Sequence, residues 1–180
     1  ARQSSAMFEN ARLFELATTD GLTGLPRRTI FEERLRLEIQ RASRAFQPFG
    51  VGLADIDRFK AINDSHGHLV GDQALRMIAD ALSSEARSTD LVARYGGEEF
   101  ALLLPHADHE GLIGLGEELR ASVASTRVTA GDQVIPVTIS IGLVWVGSPE
   151  QLTGAEDLIR RADEALYRAK AEGRNRVVTV

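Results

Sequence analysis

Apolar positions along the chain recur with two different periods, and the switches between them outline the elements. Residues 6–17 set Ala6, Leu13, Leu16 and Ala17 among polar residues at roughly helical spacing, which predicts a helix with an incompletely buried stripe. The stretch 20–26 carries two glycines and a proline and reads as a loop. Thr29 followed by Glu32 reads as a capping box that opens a helix over about 29–46, with Ile30, Phe31, Leu35, Leu37 and Ile39 as its apolar content. Pro48 and Gly50 then interrupt the pattern. The short apolar run 51–54 predicts a buried strand ending at Asp55. A turn through Asp64 leads into a helix from about Leu69 to Glu85, striped by Leu75, Ile78, Ala79 and Leu82.

Two apolar runs, 91–95 and 98–104, flank Gly96-Gly97, and this predicts a β-hairpin. A helix follows over about 108–125, then a strand pair around Val134 and 137–144. Thr153 and Glu156 read as the start of a last helix running to Ala171, and 177–180 as a last strand. No internal repeat or low-complexity tract interrupts this order. Alternating helices and strands with one antiparallel hairpin predict an α/β or α+β fold: a central mixed sheet flanked by helices, with an N-terminal helical extension. We expect residues 1–17 to be a linker helix from an upstream domain and 18–180 to be the domain proper.

Composition narrows the function classes. The 180 residues are 43% hydrophobic and 26% charged, an ordinary soluble-domain balance and enough chain for a real core. The net charge is −5, against the basic face that nucleic-acid binding needs, so no nucleic-acid partner is expected. There are no cysteines, which excludes disulfides and thiolate metal sites and is compatible with a cytoplasmic location. No apolar run approaches the roughly 18 residues of a membrane span, and the first residues lack the apolar stretch of a signal peptide. The chain starts at Ala1 without a methionine, and we expect it to be a fragment of a longer protein.

Four carboxylates stand where a sheet presents functional groups. Asp55 and Asp57 end the buried strand, and Glu98 and Glu99 follow the Gly-Gly turn. Either pair alone reads as well as a helix cap or a solvated hairpin tip. Together, with two glycines that let a phosphate or base approach the backbone, they point to a site. A carboxylate at the end of an apolar strand is costly if unpaired, and magnesium, which prefers hard oxygen ligands, relieves that cost. Lys60 lies five residues after Asp55, and Lys170 and Arg174 are four apart near the end of the last helix. These cations read either as phosphate clamps or as an ordinary basic helix terminus. A metal with phosphate clamps implies phosphoryl or nucleotidyl transfer.

At these residues the chain resembles a known family. Asp20-x-Leu-Thr-Gly-Leu-Pro26, Asp55-Ile-Asp-x-Phe-Lys-x-Ile-Asn-Asp64, Gly67-His68-x-x-Gly71-Asp72, Arg94-Tyr-Gly-Gly-Glu-Glu-Phe100, Ser140-Ile-Gly142 and Ala162-Asp-x-Ala-Leu-Tyr-x-Ala-Lys170-x-x-Gly-Arg-Asn175 together resemble GGDEF domains, the catalytic domains of diguanylate cyclases. The resemblance covers about 18–180. It implies a ferredoxin-like, palm-like core, GTP as substrate, and cyclic di-GMP with pyrophosphate as products. It implies magnesium, or manganese in its place, held by Asp55, the Ile56 carbonyl and Glu98. Glu99 matches the acceptor of the 3′-hydroxyl proton or a further metal ligand, and Lys60 a phosphate contact that stabilises the transition state. Lys170 and Arg174 match the triphosphate clamps. Asn63 and Asp72 match the guanine readers, with His68 close by and Gly96 and Gly97 beside the substrate. A carboxylate accepts from guanine N1 and N2, and an amide donates to its acceptors, so the assignment is chemically consistent.

The resemblance also implies a homodimer, because each domain holds one GTP and each 3′-hydroxyl attacks the other's α-phosphate. The N-terminal helix would set the pairing under an upstream sensor, and this segment has no membrane contact. Arg87-x-x-Asp90, separated from Gly96 by five residues, resembles an inhibitory site for cyclic di-GMP, for which Arg120 is the nearest second arginine. Arg27 stands where asparagine is usual, and Glu98 where the family's namesake aspartate is usual. One competing reading is a degenerate domain that binds GTP or cyclic di-GMP without turnover. Against it stand Asp55, Lys60, Glu98 and Glu99. The other is a mixed cyclic GMP–AMP synthase, which retention of Asp72 disfavours.

Overall fold

The computed structural model of the chain describes residues 17–180. The helix expected over 6–17 lies outside them but for Ala17. The elements run α1 (Arg28–Arg44), β1 (Phe49–Ile56), α2 (Phe59–His66), α3 (His68–Glu85), β2 (Leu91–Arg94), β3 (Glu99–Pro105), α4 (His109–Ser125), β4 (Val128–Ala130), β5 (Gln133–Ile135), β6 (Ile139–Val146), α5 (Ala155–Ala171) and β7 (Val177–Thr179). Five strands form one sheet in the order β2-β3-β1-β6-β7. Strand β1 is antiparallel to both β3 and β6, and β7 joins β6 in parallel, so the sheet is mixed as expected.

Every residue of β1 is buried, which is why the segment reads as an apolar run rather than an alternation. Its two faces feed two cores. Phe49, Val51 and Leu53 pack with Phe31 and Leu35 of α1 and with Leu158, Ala162 and Leu166 of α5. Ala54 and Ile56 pack on the other side with Leu75, Ile78 and Leu82 of α3 and Leu112 and Leu119 of α4. The sheet is therefore a middle layer between two helical layers, and its ends open onto loops.

Several boundaries differ from the sequence reading. Segment 59–66, read as a turn, is an eight-residue helix that buries Phe59 and Ile62. Neither capping box forms. Helix α1 starts at Arg28 behind Arg27 with no side-chain cap, and Glu32 is drawn to Arg28 instead, at 2.7 Å. The ion pair at i, i+4 competes for the carboxylate that the box requires. Helix α5 begins behind Gly154, again with no side-chain cap. The stretch around Val134 does not pair with 137–144. It pairs with β4 in a separate two-stranded hairpin, while β6 enters the main sheet. Pro136 separates them and has no N–H to continue a ladder. Helix α4 does have its cap: Asp108 accepts from the Gly111 N–H at 2.7 Å.

Candidate active site

Antiparallel pairing sets the site's frame. Asp55 stands directly opposite Glu99 in the β1–β3 register, and the Ile56 N–H donates to the Glu98 carbonyl at 3.3 Å. Directly opposed residues share a face, so the Asp55 and Glu99 side chains emerge on the α1–α5 side of the sheet end. The tip of the β2–β3 hairpin thus sits against the end of β1. The carboxylates 43 or 44 positions apart in sequence become neighbours here.

Helix α5 brings the cation. Lys170 Nζ lies 2.9 Å from Asp55 Oδ1. This contact depends on how closely α5 lies on β6. A Cβ at Gly142 would fall inside the envelope of the Leu166 amide nitrogen and the Ala162 carbonyl oxygen. The glycine of Ser140-Ile-Gly142 is therefore what lets the helix touch the sheet.

The carboxylates are electrostatically crowded. Burial pushes the Asp55 carboxyl above its ordinary range, and Lys170 offsets only part of the shift. Glu98 is raised by burial and by the neighbouring Asp55, with Lys170 again opposing. Both groups are held at a cost that a divalent cation would relieve. Among the described residues no three His, Cys, Asp or Glu side chains converge on a metal position. The two carboxylates, with the Ile56 carbonyl that the resemblance adds, would make a hard-oxygen set that fits magnesium with its remaining positions left to water and phosphate.

Asp57, two residues on, is occupied differently. Its Oδ1 accepts from Ser140 Oγ at 2.7 Å, and its Oδ2 accepts from Thr138 Oγ1 at 2.7 Å and from the Asn175 N–H at 3.0 Å. A carboxylate so bonded ties β1, β6 and the loop after α5 together and has little capacity left for a metal. That loop is backbone-constrained: Arg174 and Asn175 both have positive φ, at 66° and 45°. Arg174 lies close enough to act electrostatically on Asp55.

The hairpin tip is fixed from two sides. Arg94 donates to the Gly96 carbonyl at 3.2 Å and the Gly97 carbonyl at 2.7 Å, and its Nη1 lies 2.8 Å from Asp20 Oδ1. Asp20 also accepts from the Thr23 N–H and hydroxyl. Burial would raise this carboxyl, but the bonds from Arg94 and Thr23 outweigh it and hold it below the ordinary range. Tyr95 is gripped by the Arg28 guanidinium 4.4 Å above its ring and by the edge of Phe31 at 5.9 Å. Glu99 packs over Gly96, where a Cβ would meet Oε2 at 2.6 Å, and Gly97 faces open space. These roles of Asp20 and Arg94 were not assigned from sequence, although both residues stand inside the recognised motifs.

A second cluster forms where α2 meets α3. Gly71 is buried because the Asn63 carboxamide lies on it, and a Cβ there would collide with Asn63 Oδ1. Asn63 is thereby brought to the start of α3, the helix that carries His68 and, just past its first turn, Asp72. Lys60 is exposed on the first turn of α2 and makes no ion pair among the described residues. Arg87 and Asp90 close an exposed turn on themselves: the Arg87 N–H donates to Asp90 Oδ2 at 2.9 Å. The turn borders a cleft of about 430 Å³ lined by Arg34 and Arg41 of α1 with Ser88 and Thr89. Arg120 is not there. It bonds Glu117 at 2.7 Å and Asn175 at 2.9 Å, so its position on α4 faces the loop after α5.

The family model described as "Diguanylate cyclase, GGDEF domain" matches residues 17–176. Diguanylate cyclase DgcP of Pseudomonas aeruginosa is 42% identical over 161 residues, which are 89% of this chain and 24% of that protein. The response regulator PleD of Caulobacter vibrioides is 42% identical over 166 residues, 91% of this chain and 36% of that protein. The chain thus spans roughly a quarter to a third of the length of these relatives. The coiled coil and GGDEF domain of DgcB from Caulobacter crescentus, crystallised in complex with c-di-GMP, matches with a TM-score of 0.88 at 32% identity, covering 99% of this chain and 96% of that one. Asp55, Glu98, Lys170 and the six motifs all fall inside the matched span, and the chain belongs to the GGDEF domain family.

Proposed function

We propose that this domain condenses two GTP molecules into cyclic di-GMP with release of two pyrophosphates. The observation that carries this reading is that Asp55 stands opposite Glu99 at one sheet end, with Glu98 close enough to be raised by its charge and Lys170 2.9 Å from its Oδ1. Asp55, Glu98 and the Ile56 carbonyl would hold magnesium, which supplies positive charge to the reacting phosphates. Lys170 and Arg174 clamp the triphosphate, and Lys60, free of ion pairs among the described residues, turns to the phosphates when substrate arrives. Asn63 and Asp72 read the guanine from the α2–α3 junction, with His68 at its rim, and Gly97 leaves room for the substrate beside the tip. Glu99 accepts the 3′-hydroxyl proton as the oxygen bonds to the α-phosphorus and the bond to pyrophosphate breaks. The attacking hydroxyl belongs to the GTP of a second domain, so the active species is a dimer, set by the segment preceding Asp20 under a sensor elsewhere in the full protein. Catalysis takes place in the cytoplasm, where GTP is available.

Product would bind at Arg87 and Asp90 and inhibit. The adjacent cleft supports this, because Arg34 and Arg41 add cationic groups for phosphate or guanine. The test is incubation of the chain with GTP and magnesium and identification of the product by mass. Cyclic di-GMP from the parent and none from Asp55→Asn, with the variant folded by circular dichroism, is the expected result. GTP binding without turnover in the parent would instead establish the degenerate, binding-only reading.

A further inference from the structure

One charged residue of α1 stands where the helix should be apolar. Phe31, Leu35, Glu38 and Ala42 are its buried residues, and their spacing makes one stripe toward the sheet. Phe31, Leu35 and Ala42 belong to the apolar core on that side. Glu38 interrupts the stripe at only 8% exposure. A carboxylate in such a place is normally paired and hydrogen-bonded, because burial without partners is costly. Glu38 is not. Its partner among the described residues is Arg41, at 3.9 Å, beyond hydrogen-bond distance and with a side chain that is 61% exposed. No buried polar side-chain atom among the described residues lacks a partner, so the Glu38 oxygens, which accept no hydrogen bond there, keep access to their surroundings. They open onto the cleft of about 430 Å³ beside the Arg87–Asp90 turn, which Glu38 lines.

The cleft offers three kinds of contact. Leu91, Leu103 and Pro105 give it an apolar wall, and Arg34 and Arg41 bring positive charge. Glu38 is the one carboxylate among the residues that line it. Asp90 stands at the border, but both of its oxygens are engaged within the turn, Oδ2 by the Arg87 N–H at 2.9 Å and Oδ1 by the Thr89 hydroxyl at 3.5 Å. An apolar wall, two guanidinium groups and an acceptor-only side chain suit a nucleotide whose base presents donors. The wall packs against the base, the arginines meet the phosphates, and the carboxylate accepts from the donor edge. Guanine sets N1–H and N2–H side by side, one for each carboxylate oxygen. Adenine turns an unprotonated N1 toward the same group, which would leave a buried charge facing a lone pair.

We propose that Glu38 reads the guanine edge of a cyclic di-GMP molecule held in this cleft, and so makes the cleft selective for guanine over other bases. The inference rests on the proposed binding of product beside Arg87 and Asp90, and adds to it the group that recognises the base. An acidic residue in the buried stripe of α1 works against the fold's own packing, and local rules of this kind are broken at functional positions. The Arg41 pair does not account for it, since a long contact to an exposed arginine contributes little.

The test is calorimetric titration of the 180-residue chain with cyclic di-GMP and with cyclic di-IMP, whose bases lack only the N2 amine. The parent should bind cyclic di-GMP about tenfold more tightly than cyclic di-IMP. In Glu38→Gln an amide nitrogen replaces one acceptor oxygen, and the two affinities should come within about twofold of each other. Arg87→Ala should weaken both ligands alike, which places the binding at this cleft. The melting temperature of Glu38→Gln should equal or exceed the parent's, because a buried charge is removed. An unchanged preference in Glu38→Gln overturns the assignment and leaves product binding at the turn standing. An unchanged preference with a lower melting temperature assigns Glu38 to the fold instead. If Arg87→Ala binds both ligands as the parent does, the ligand sits elsewhere and the assignment falls. Binding of cyclic di-GMP without inhibition of turnover removes the inhibitory reading alone, and the preference for guanine still decides Glu38. No binding of cyclic di-GMP by the parent overturns both.

Discussion

Asp55 and Asp57 are two positions apart at the end of one strand, and their surroundings give them opposite uses. Asp57 has three donors within 3.0 Å and serves the fold. Asp55 has one lysine, a raised carboxyl and a second carboxylate beside it, and under the proposed function it serves a ligand. Asp20 is a third case, a charge used for architecture. Its folded-state carboxyl lies below the ordinary value of 3.8, so its contribution to stability is present above that value and is lost as pH falls through the folded one. We predict that Asp20→Asn destabilises the chain by about 1 kcal/mol near neutral pH, since the partly exposed pair is screened by water. The gap to the parent should close as pH is lowered below 3.8, because the parent's own carboxyl is then protonated. Denaturant melts at a series of pH values check this, and a gap that is constant down to the acid limit would show that the charge is not what matters.

Among the elements, α5 and the β2–β3 hairpin meet the end of β1 to make the candidate site, and each depends on glycine for a different reason. Gly96 gives its space to the Glu99 carboxylate, and Gly142 gives its space to the backbone of α5. We predict that Gly142→Ala costs about 3 kcal/mol or more, because the new methyl meets backbone atoms that cannot rotate aside. Thermal melting should show the loss, and GTP affinity should fall with it, since a displaced α5 withdraws Lys170 from Asp55. A variant with the parent's melting temperature would mean that the helix packs less closely than described. The hairpin and the strand ending near Asp55 were legible in the sequence because an apolar run between glycines has few alternative readings. Helix α2 was not, because Asn63, Asp64 and Ser65 are turn formers, and what makes the segment helical is burial of Phe59 and Ile62 against the neighbouring helix. The pairing of β5 with β4 was equally hidden, since both strands are three residues long and the choice of partner is tertiary. The grouping of Asp55, Glu98 and Lys170 was reachable through the motifs, whereas the Asp20–Arg94 link, 74 positions apart, had no local signal.

At the scale of the molecule, β2 separates the two sites proposed above. The Gly-Gly tip and its carboxylates lie at one end of the strand and the Arg87–Asp90 turn at the other. Four residues of strand span only about 13 Å, yet the turn faces α1 while the tip faces the end of β1. A ligand at the turn therefore reaches Arg34 and Arg41 without touching the proposed GTP site. If catalysis requires two domains to meet face to face across their carboxylates, a product molecule held by this rear cleft inhibits most simply by linking domains in the wrong orientation. Stiffening of the hairpin through β2 is the alternative, but Arg94 and Tyr95 are already fixed by Asp20, Arg28 and Phe31, which leaves little motion to remove. We predict that Arg87→Ala raises the concentration of cyclic di-GMP needed for half inhibition by about tenfold and leaves the initial rate unreduced. Progress curves with added product measure both. The cross-linking account also requires that product promote association of the parent but not of Arg87→Ala, which sedimentation resolves. Equal inhibition of parent and variant would make the Arg87–Asp90 turn a surface feature, closed on itself by the 2.9 Å bond from the Arg87 N–H to Asp90 and nothing more.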